Sequence, residues 1–463
     1  MRQPECSVPM PQLSSEFKEL FAQEYPNQAN ALFQCLEETS PSYAIRLNAV
    51  KSERYGYSLD HLQTEAAVPW YKGGFTLTER PVFAWDPLWH AAGYYVQEAS
   101  SQAISQVKSL LPSEPIKALD LCAAPGGKAS LLSSILPNGS LLIANEPIPK
   151  RASTLVENIA KWGYPETIVT SVFPEQLASC GILFDLILVD APCSGEGMFR
   201  KSISAREDWS LDTVALCSSR QKKILDSAFD MLRPGGLIVY STCTFNRREN
   251  EEQVAYLHSK GCDEVALEIP TEWNWVQTST SSYHLFPHRL NGEGLFFAVL
   301  RKNAKCGEKR LKDLPKIATK SPKVPYKDWI LDDCFRSGAI YALEGGAHFL
   351  MSEPVEGAYR ILCQSDIKPI FAGIPLTEKK GNGEIPHSLL PLSMQFCMGA
   401  FDSCSLEYED ALRYLSGAAL SIESKQRGLV TLTYQGIPLG FGNRVGQRIN
   451  SYYPKSYRLK LLP

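Results

Sequence analysis

Two cysteines stand where apolar runs give way to polar turns, Cys193 in LILVDAPCSGEGMFRK (186–201) and Cys243 in LIVYSTCTFNRREN (237–250). A thiolate is a strong covalent nucleophile. The usual fate of a cysteine, however, is to pack as a small apolar residue. At this level both positions carry both readings. Asp190 precedes Cys193 at its strand end, and Ser241, Thr242 and Thr244 surround Cys243. Two further stretches carry ligand chemistry. DLCAAPGGK (120–128) places small residues and the pair Gly126–Gly127 before the helical ASLLSSIL, which lets a ligand approach the backbone at a helix start. It is neither GxGxxG nor a P-loop, and a glycine pair also serves a plain turn. Glu146 ends the next apolar run about twenty residues on, where an acid commonly accepts hydrogen bonds from ribose hydroxyls. A lone carboxylate there is as often a surface charge. Together the loop and the acid favour an adenosine-containing ligand.

These residues need elements to hold them. From about Val96 the chain alternates apolar runs with helical segments. The runs are IKALDLC (116–122), SLLIANE (140–146), ETIVTSV (166–172), FDLILVD (184–190) and GLIVYST (236–242). Between them lie KASLLSSIL, PKRASTLVENIAKWG and CSSRQKKILDSAFDMLRPG. Strand–helix alternation implies a parallel sheet covered on both faces, and near-continuous apolar strands are what such a sheet requires. YYVQEASSQAISQVKSLL reads as an amphipathic helix closed by Pro112, and LFPHRLNGEGLFFAVLRK as a hairpin turning at Asn291–Gly292. In an open parallel sheet ligands bind beyond the carboxyl ends of the strands, where all four motifs fall.

Composition sets outer bounds. A chain of 463 residues is expected to form several domains. No apolar run is long enough to span a membrane, and no basic-then-apolar leader opens the sequence, so a cytoplasmic protein is expected. Thirteen cysteines are scattered with no CxxC pair, which points to free thiols and no metal site; Cys35, Cys180, Cys217 and Cys262 read as packed ones. The net charge of −3 and pI near 6.2 lack the global footprint of a nucleic-acid binder. Local charge differs. The segment 301–327 is rich in lysine, and from Ser424 to Pro463 there are seven Lys or Arg and no acid, interleaved with Tyr434, Phe441, Tyr452, Tyr453 and Tyr457. Charge runs are usually solvated faces, but basic residues mixed with aromatics suit RNA.

The four motifs LDLCAAPGGK, VDAPCSGEGMFRK, YSTCTFNRRENE and PHRLNGEGLFFAVL together resemble the Nop/Sun family of RNA cytosine-5 methyltransferases. The likeness runs over roughly 40–302, beginning at YAIRLNAVK and including AGYYVQEASS. The tail GIPLGFGNRVGQRINSYYPKSYR resembles the PUA-like end of bacterial RsmF-type enzymes, which modify 16S ribosomal RNA. The resemblance implies an α/β fold. It consists of a class I, Rossmann-like methyltransferase domain with an α+β N-terminal extension and a C-terminal PUA-like RNA-binding region. By the family pattern Cys243 is the nucleophile, Cys193 assists product release, Asp190 acts on the base, and Lys201 lies near them. S-adenosylmethionine is the implied cofactor, held by Cys122, Ala123, Ala124, Pro125, Gly126, Gly127 and Lys128, with Glu146 on its ribose and Arg151 and Asp190 beside it. One departure stands out: many members carry an acid after the third strand that contacts adenine, whereas VTSVFPEQL offers Ser171 and Val172.

The expected organisation is an RNA-binding extension at 1–95, the catalytic domain at 96–302, a basic linker at 303–328, an intermediate domain at 329–385 and a PUA-like domain at 386–463. RNA contacts are expected at Arg46, Arg444, Arg448, Lys455 and Arg458. The expected partner is RNA, 16S rRNA or the small subunit, bound by a monomer without metal or membrane. Two other classes compete, a non-catalytic RNA-binding assembly factor on a methyltransferase scaffold and a methyltransferase of nitrogen atoms; a transfer-RNA substrate is the alternative within the family. Intact cysteines and glycine loop speak against the first. An amino-directed enzyme has no need of a thiol and favours an (N/D)PPY loop, so DAPC speaks against the second.

Overall fold

The computed structural model describes residues 10–303, 326–343, 345–381, 383–421 and 427–460. Residues 304–325 of the segment read as a linker therefore lie outside the described residues. Among the described residues the central sheet has ten strands, and seven of them form its body. They are β1 (Lys117–Asp120), β2 (Leu141–Asn145), β3 (Thr167–Thr170), β4 (Phe184–Asp190), β5 (Leu232–Thr242), β6 (Ser282–Leu285) and β7 (Leu295–Lys302). Side by side they run β3-β2-β1-β4-β5-β7-β6. The first five are mutually parallel, and β7 is antiparallel to both its neighbours. Strand order reverses between β1 and β4, and that reversal opens a crevice beyond the carboxyl ends of the strands.

Burial explains the strands. Every residue of β2 and β3 is buried, as a sheet covered on both faces requires. The covering helices are α1 (Gly127–Ile135), α2 (Pro149–Trp162), α3 (Leu211–Met231) and α4 (Glu251–Ser259). In α2 the buried Ala152, Leu155, Ile159 and Trp162 recur at helical spacing. Gly163 stops α2 at φ +86°, and a Cβ there would lie 2.3 Å from Leu392 O, so only glycine fits. Ser210 starts α3 by accepting from Thr213 N.

Two sequence expectations change. Tyr94–Val96 is a strand, because it completes a sheet with Tyr43–Leu47, and a tight 3₁₀ helix follows over Ser100–Leu110. The Glu98 carboxylate sets that helix start by accepting from Ser100 N and Ser101 N. The cut expected at 95/96 thus falls inside a strand. β6 and β7 do form an antiparallel pair, but the whole stretch 286–294 connects them rather than a tight turn at Asn291–Gly292. Glu293 is drawn away from the hairpin to Arg200, and Gly294 N donates to Ser100 Oγ.

The flanking regions are not independent of this core. Phe371–Ala372 extends the central sheet antiparallel to β3, and Phe349, Val355 and Leu362 pack in the same apolar cluster as the sheet. The five-stranded C-terminal sheet packs Leu432, Leu439 and Ile449 against Ile45, Leu88 and Tyr94 of the N-terminal extension. His90 Nδ1 lies 2.9 Å from Tyr453 Oη across that junction. No helix among the described residues is long and apolar enough to cross a membrane.

Arg46 is a correction. Expected on an RNA-facing surface, it is fully buried between the N-terminal sheet and α1. Its Nε donates to Gln97 Oε1 at 2.7 Å, its Nη2 to Ser130 Oγ at 2.6 Å, and its guanidinium lies over the Trp162 ring at 4.4 Å. Burial lowers its pKa to about 10, so it stays charged at neutral pH. A buried cation of this kind ties the extension to the catalytic domain. Arg46→Ala should destabilise the protein by roughly 3–5 kcal/mol in urea unfolding, because the cation's hydrogen-bond acceptors and ring contact are lost inside the core. An unchanged unfolding midpoint would return Arg46 to the surface.

Candidate active site

The crevice collects the sequence motifs. Asp190 ends β4 and Ser241 lies next to it near the end of β5, where Ser241 Oγ donates to Asp190 Oδ1 at 2.8 Å. Lys128, in the first turn of α1, donates Nζ to Asp190 Oδ2 at 2.9 Å. Burial pulls the Lys128 ammonium down, but the charge and hydrogen bond of Asp190 outweigh it, and its pKa ends above the ordinary lysine value. Beneath them Asp120 is fully buried, and no side chain among the described residues donates to its carboxylate. Burial, reinforced by the Asp190 carboxylate, pushes its pKa to about 8. Lys128 is thus the counter-charge for a crowded acidic floor.

Just beyond Asp190, Cys193 Sγ and Cys243 Sγ lie 3.3 Å apart, each half-buried. Their hydrogen bond, with burial second, raises the Cys193 pKa well above the ordinary thiol range. Cys193 is therefore a protonated thiol resting against its partner. The other described cysteines are also free, and Cys35, Cys217 and Cys262 are buried as expected of packed thiols, while Cys180 is half-buried.

The cofactor candidates line the β1 and β2 ends. Gly126 takes φ +114°, and a Cβ on it would press within 3.3 Å of Asn158 Cβ and Leu155 Cδ1. The backbone before α1 is left bare for that reason. Ala123 N donates to Asn145 O, while Asn158 Nδ2 holds Pro125 O. Glu146 is buried, accepts from Ile148 N at 3.0 Å and pairs with Arg151 at 3.2 Å, and Arg151 also donates to Ala124 O. After β3, Val172 is pinned by both ends of the Asn145 amide, and Phe173 next to it is 63 % exposed. Lys201 stands at the rim, 3.7 Å from Glu293 and over the Tyr43 ring.

Sequence reasoning missed what holds the two cysteine loops together. Under them lies the buried Glu249 carboxylate. It accepts from Ser194 N and Ser194 Oγ beside Cys193, from Asn246 Nδ2 beyond Cys243, and from Gln221 Nε2 on α3. Gln221 also holds Pro192 O, and Ser194 Oγ meets Thr244 Oγ1 at 2.9 Å. Glu196, fully buried, accepts from Asn246 Nδ2, Trp209 Nε1 and Phe245 N. Gly197 N closes the set on Cys243 O at 2.7 Å. Burial, followed by the neighbouring Glu196, raises the Glu249 pKa. The signal was present in the cysteine motifs themselves, as acids embedded in CSGEG and NRREN.

The C-terminal candidates divide. Arg448 and Lys455 are exposed. Arg444 is buried in its strand and reaches Asp402 at 3.7 Å, which removes it from the surface set. Arg458 is half-buried and donates to Tyr453 O, and Phe441 and Tyr453 are core residues rather than stacking platforms.

The strand order, the glycine-opened crevice and the paired thiols define a Rossmann-like methyltransferase. A family model described as 16S rRNA methyltransferase RsmB/F matches residues 107–301, the N-terminal domain of 16S rRNA methyltransferase RsmF matches 13–99, and the methyltransferase RsmF PUA domain matches 402–459. Ribosomal RNA small subunit methyltransferase F of Shewanella amazonensis is 30% identical over 412 residues, covering 84% of this chain and 85% of that one. The chain belongs to the RsmF family of ribosomal RNA small subunit methyltransferases. Among solved structures, a methyltransferase homolog protein from Pyrococcus horikoshii is 26% identical with a TM-score of 0.53, covering 62% of this chain and 95% of that chain. NSun6 from the same organism, solved with SFG, shares the fold at 21% identity and a TM-score of 0.55, over 64% of this chain and 99% of that one.

Glu249→Ala should lower stability by roughly 3–5 kcal/mol, since three sets of buried donors lose one acceptor. Urea unfolding measures it, and a loss below about 1 kcal/mol would show that the loops hold themselves.

Proposed function

We propose that this chain transfers a methyl group from S-adenosylmethionine to carbon 5 of cytosine in RNA, with 16S rRNA as the substrate. In this reading Cys243 is the covalent nucleophile and Cys193 assists release. The observation that carries it is the 3.3 Å approach of two thiols at the ends of β4 and β5, beside a carboxylate. Methyl transfer to a nitrogen has no use for such a pair.

Carbon 5 of cytosine is a poor nucleophile. Addition of the Cys243 thiolate to carbon 6 breaks the 5,6 double bond and turns the ring into an enamine, whose carbon 5 would take the methyl group as its bond to the donor sulfur breaks and that sulfur leaves as an uncharged thioether. Asp190, held by Lys128 and Ser241, takes up the proton that the Cys243 thiol gives up, and in that protonated form its carboxyl donates to nitrogen 3 and offsets the charge the addition develops. Once the methyl is in place the proton on carbon 5 passes to solvent, its bonding pair reforms the 5,6 double bond, and the bond from Cys243 to carbon 6 breaks with its electron pair leaving on the sulfur. Cys193, a protonated thiol in contact with Cys243, assists that breakdown by donating its hydrogen to the departing Cys243 sulfur.

The crevice suits the donor. The bare backbone at Gly126–Gly127 and the buried Glu146 carboxylate at the end of β2 offer what an adenosine ligand needs, a close approach and a ribose acceptor. Cys122, Ala123, Ala124, Pro125 and Lys128 complete the loop, and Arg151 orients Glu146. When bound, S-adenosylmethionine supplies a methyl carried on a cationic sulfur.

RNA is held outside the crevice. The C-terminal domain presents Arg448 on its last strand and Lys455 in the short 3₁₀ helix after it, and we assign phosphate contacts to them in place of the buried Arg444.

Two outcomes follow. Cys243→Ala should abolish both methylation and covalent adducts, whereas Cys193→Ala should accumulate RNA bound to protein in a denaturing gel; trapping by the Cys243 variant would reverse the two roles. Replacing Arg448 and Lys455 with alanine should lower the slope of log affinity against log salt by up to about one unit each, with S-adenosylmethionine affinity unchanged. Parental slopes would remove this domain from the RNA path.

A further inference from the structure

A cavity of about 230 Å³ opens between the N-terminal extension and the catalytic domain, lined by none of the residues assigned to the methyl-transfer crevice. Trp70, Trp273 and Leu290 form its walls, and Asn274, Arg289 and Asn291 stand at its rim. We propose that it receives an unstacked nucleobase of the RNA substrate, a base neighbouring the one being methylated. This assignment rests on RNA being the substrate.

The walls are aromatic and pre-set. Trp70 is buried and donates its indole N–H to Ala99 O at 2.7 Å. Trp273 lies 6.1 Å from it at an interplanar angle of 67°, and Trp275 completes the cluster at 5.5 Å from Trp70 and 5.2 Å from Trp273. The Trp275 indole N–H is buried with no hydrogen-bond partner among the described residues. Directly after Trp273, Asn274 turns the chain at φ +55°, a left-handed conformation that only a minority of non-glycine residues adopt. Arg289 Nε fixes that turn by donating to Asn274 O at 3.1 Å, and the other guanidinium nitrogens of Arg289 have no partner among the described residues. A planar ring thus meets aromatic surface inside and hydrogen-bonding groups at its edge. This is how single-stranded bases are recognised.

Charge chooses the base over the phosphate. Glu272 lines the same cavity, and Glu65 accepts from Asn291 at its rim, so a phosphate would meet carboxylates. An uncharged ring with amino groups would not.

The cavity is also wired to the nucleophile. Leu290 and Asn291 run directly into Gly292–Gly294. Glu293 N donates to Glu98 Oε2, and Gly294 N to Ser100 Oγ, on either side of the cavity residue Ala99. Gly197 packs so closely between Cys243 O and Glu293 O that a Cβ there would meet them at 2.8 and 3.1 Å. A base seated in the cavity therefore touches Asn291, two residues before the Glu293 carbonyl that packs with Gly197 against Cys243 O.

The test uses the full chain and a mixed-sequence single-stranded oligoribonucleotide, intact or abasic throughout. Tryptophan fluorescence of the parent should quench with intact RNA and not with the abasic polymer. Trp273→Ala should weaken intact RNA about 5- to 100-fold, Trp273→Phe should retain most affinity, and both should bind the abasic polymer as the parent does. Arg289→Ala, at an exposed position, gives a second reading should Trp273→Ala fold poorly, and S-adenosylmethionine affinity should stay constant in every variant. Parental affinity for intact RNA in both Trp273→Ala and Arg289→Ala overturns the cavity assignment alone. A parent that binds neither RNA overturns the RNA-substrate reading and the cavity with it.

Discussion

The buried Glu249 carboxylate is the constraint on which the site depends. An ionised carboxylate inside a protein costs several kcal/mol unless donors surround it. Its donors come from α3, from the loop after β4 and from the loop after β5. Those three segments satisfy the charge only by closing on it together, and in closing they bring Cys193 and Cys243 to 3.3 Å. Glu196 repeats the device one layer further out, where Trp209 and Phe245 join the aromatic cluster of Phe17 and Phe21 from the first N-terminal helix. The extension thus reaches the thiols through a continuous chain of contacts.

On the crevice side the same physics appears with the opposite balance. Asp120, Asp190 and Glu146 crowd the ends of neighbouring strands, and Lys128 and Arg151 are the cations bonded to them. Asp120 has no side-chain donor among the described residues and holds its proton up to about pH 8, whereas Asp190 accepts from both Lys128 and Ser241. One carboxyl is neutralised by burial and the other is oriented by partners. The oriented one ends β4, three residues before Cys193.

The regions around the catalytic sheet are joined to it by shared core rather than by loose contact. Arg46 sits inside the junction with α1, Phe371–Ala372 lengthens the sheet beyond β3, and the C-terminal sheet shares apolar core with the N-terminal one. Segments far apart in the chain therefore shape one surface around the crevice, and the aromatic cavity at Trp70 and Trp273 forms at one such junction.

What the sequence determined by itself is whatever depends on near neighbours. Apolar runs marked β1 to β5 because strands covered on both faces are apolar throughout, and DLCAAPGGK marked the open helix start because only glycine tolerates the φ at Gly126. The two cysteines were legible as a pair because each follows such a run. Tertiary structure decided the rest, for one physical reason: a polar side chain is buried or exposed according to partners that lie far away in the chain. Arg46 goes inside because Gln97, Ser130 and Trp162 surround it, and Arg444 because its strand faces Asp402. Glu249 looks like one acid in a polar turn until α3 and the β4 loop meet it. Residues 94–96 become strand, not helix, because Tyr43–Leu47 offers an unpaired edge. Periodicity reports a residue's own face, and only the fold supplies the group on the other side.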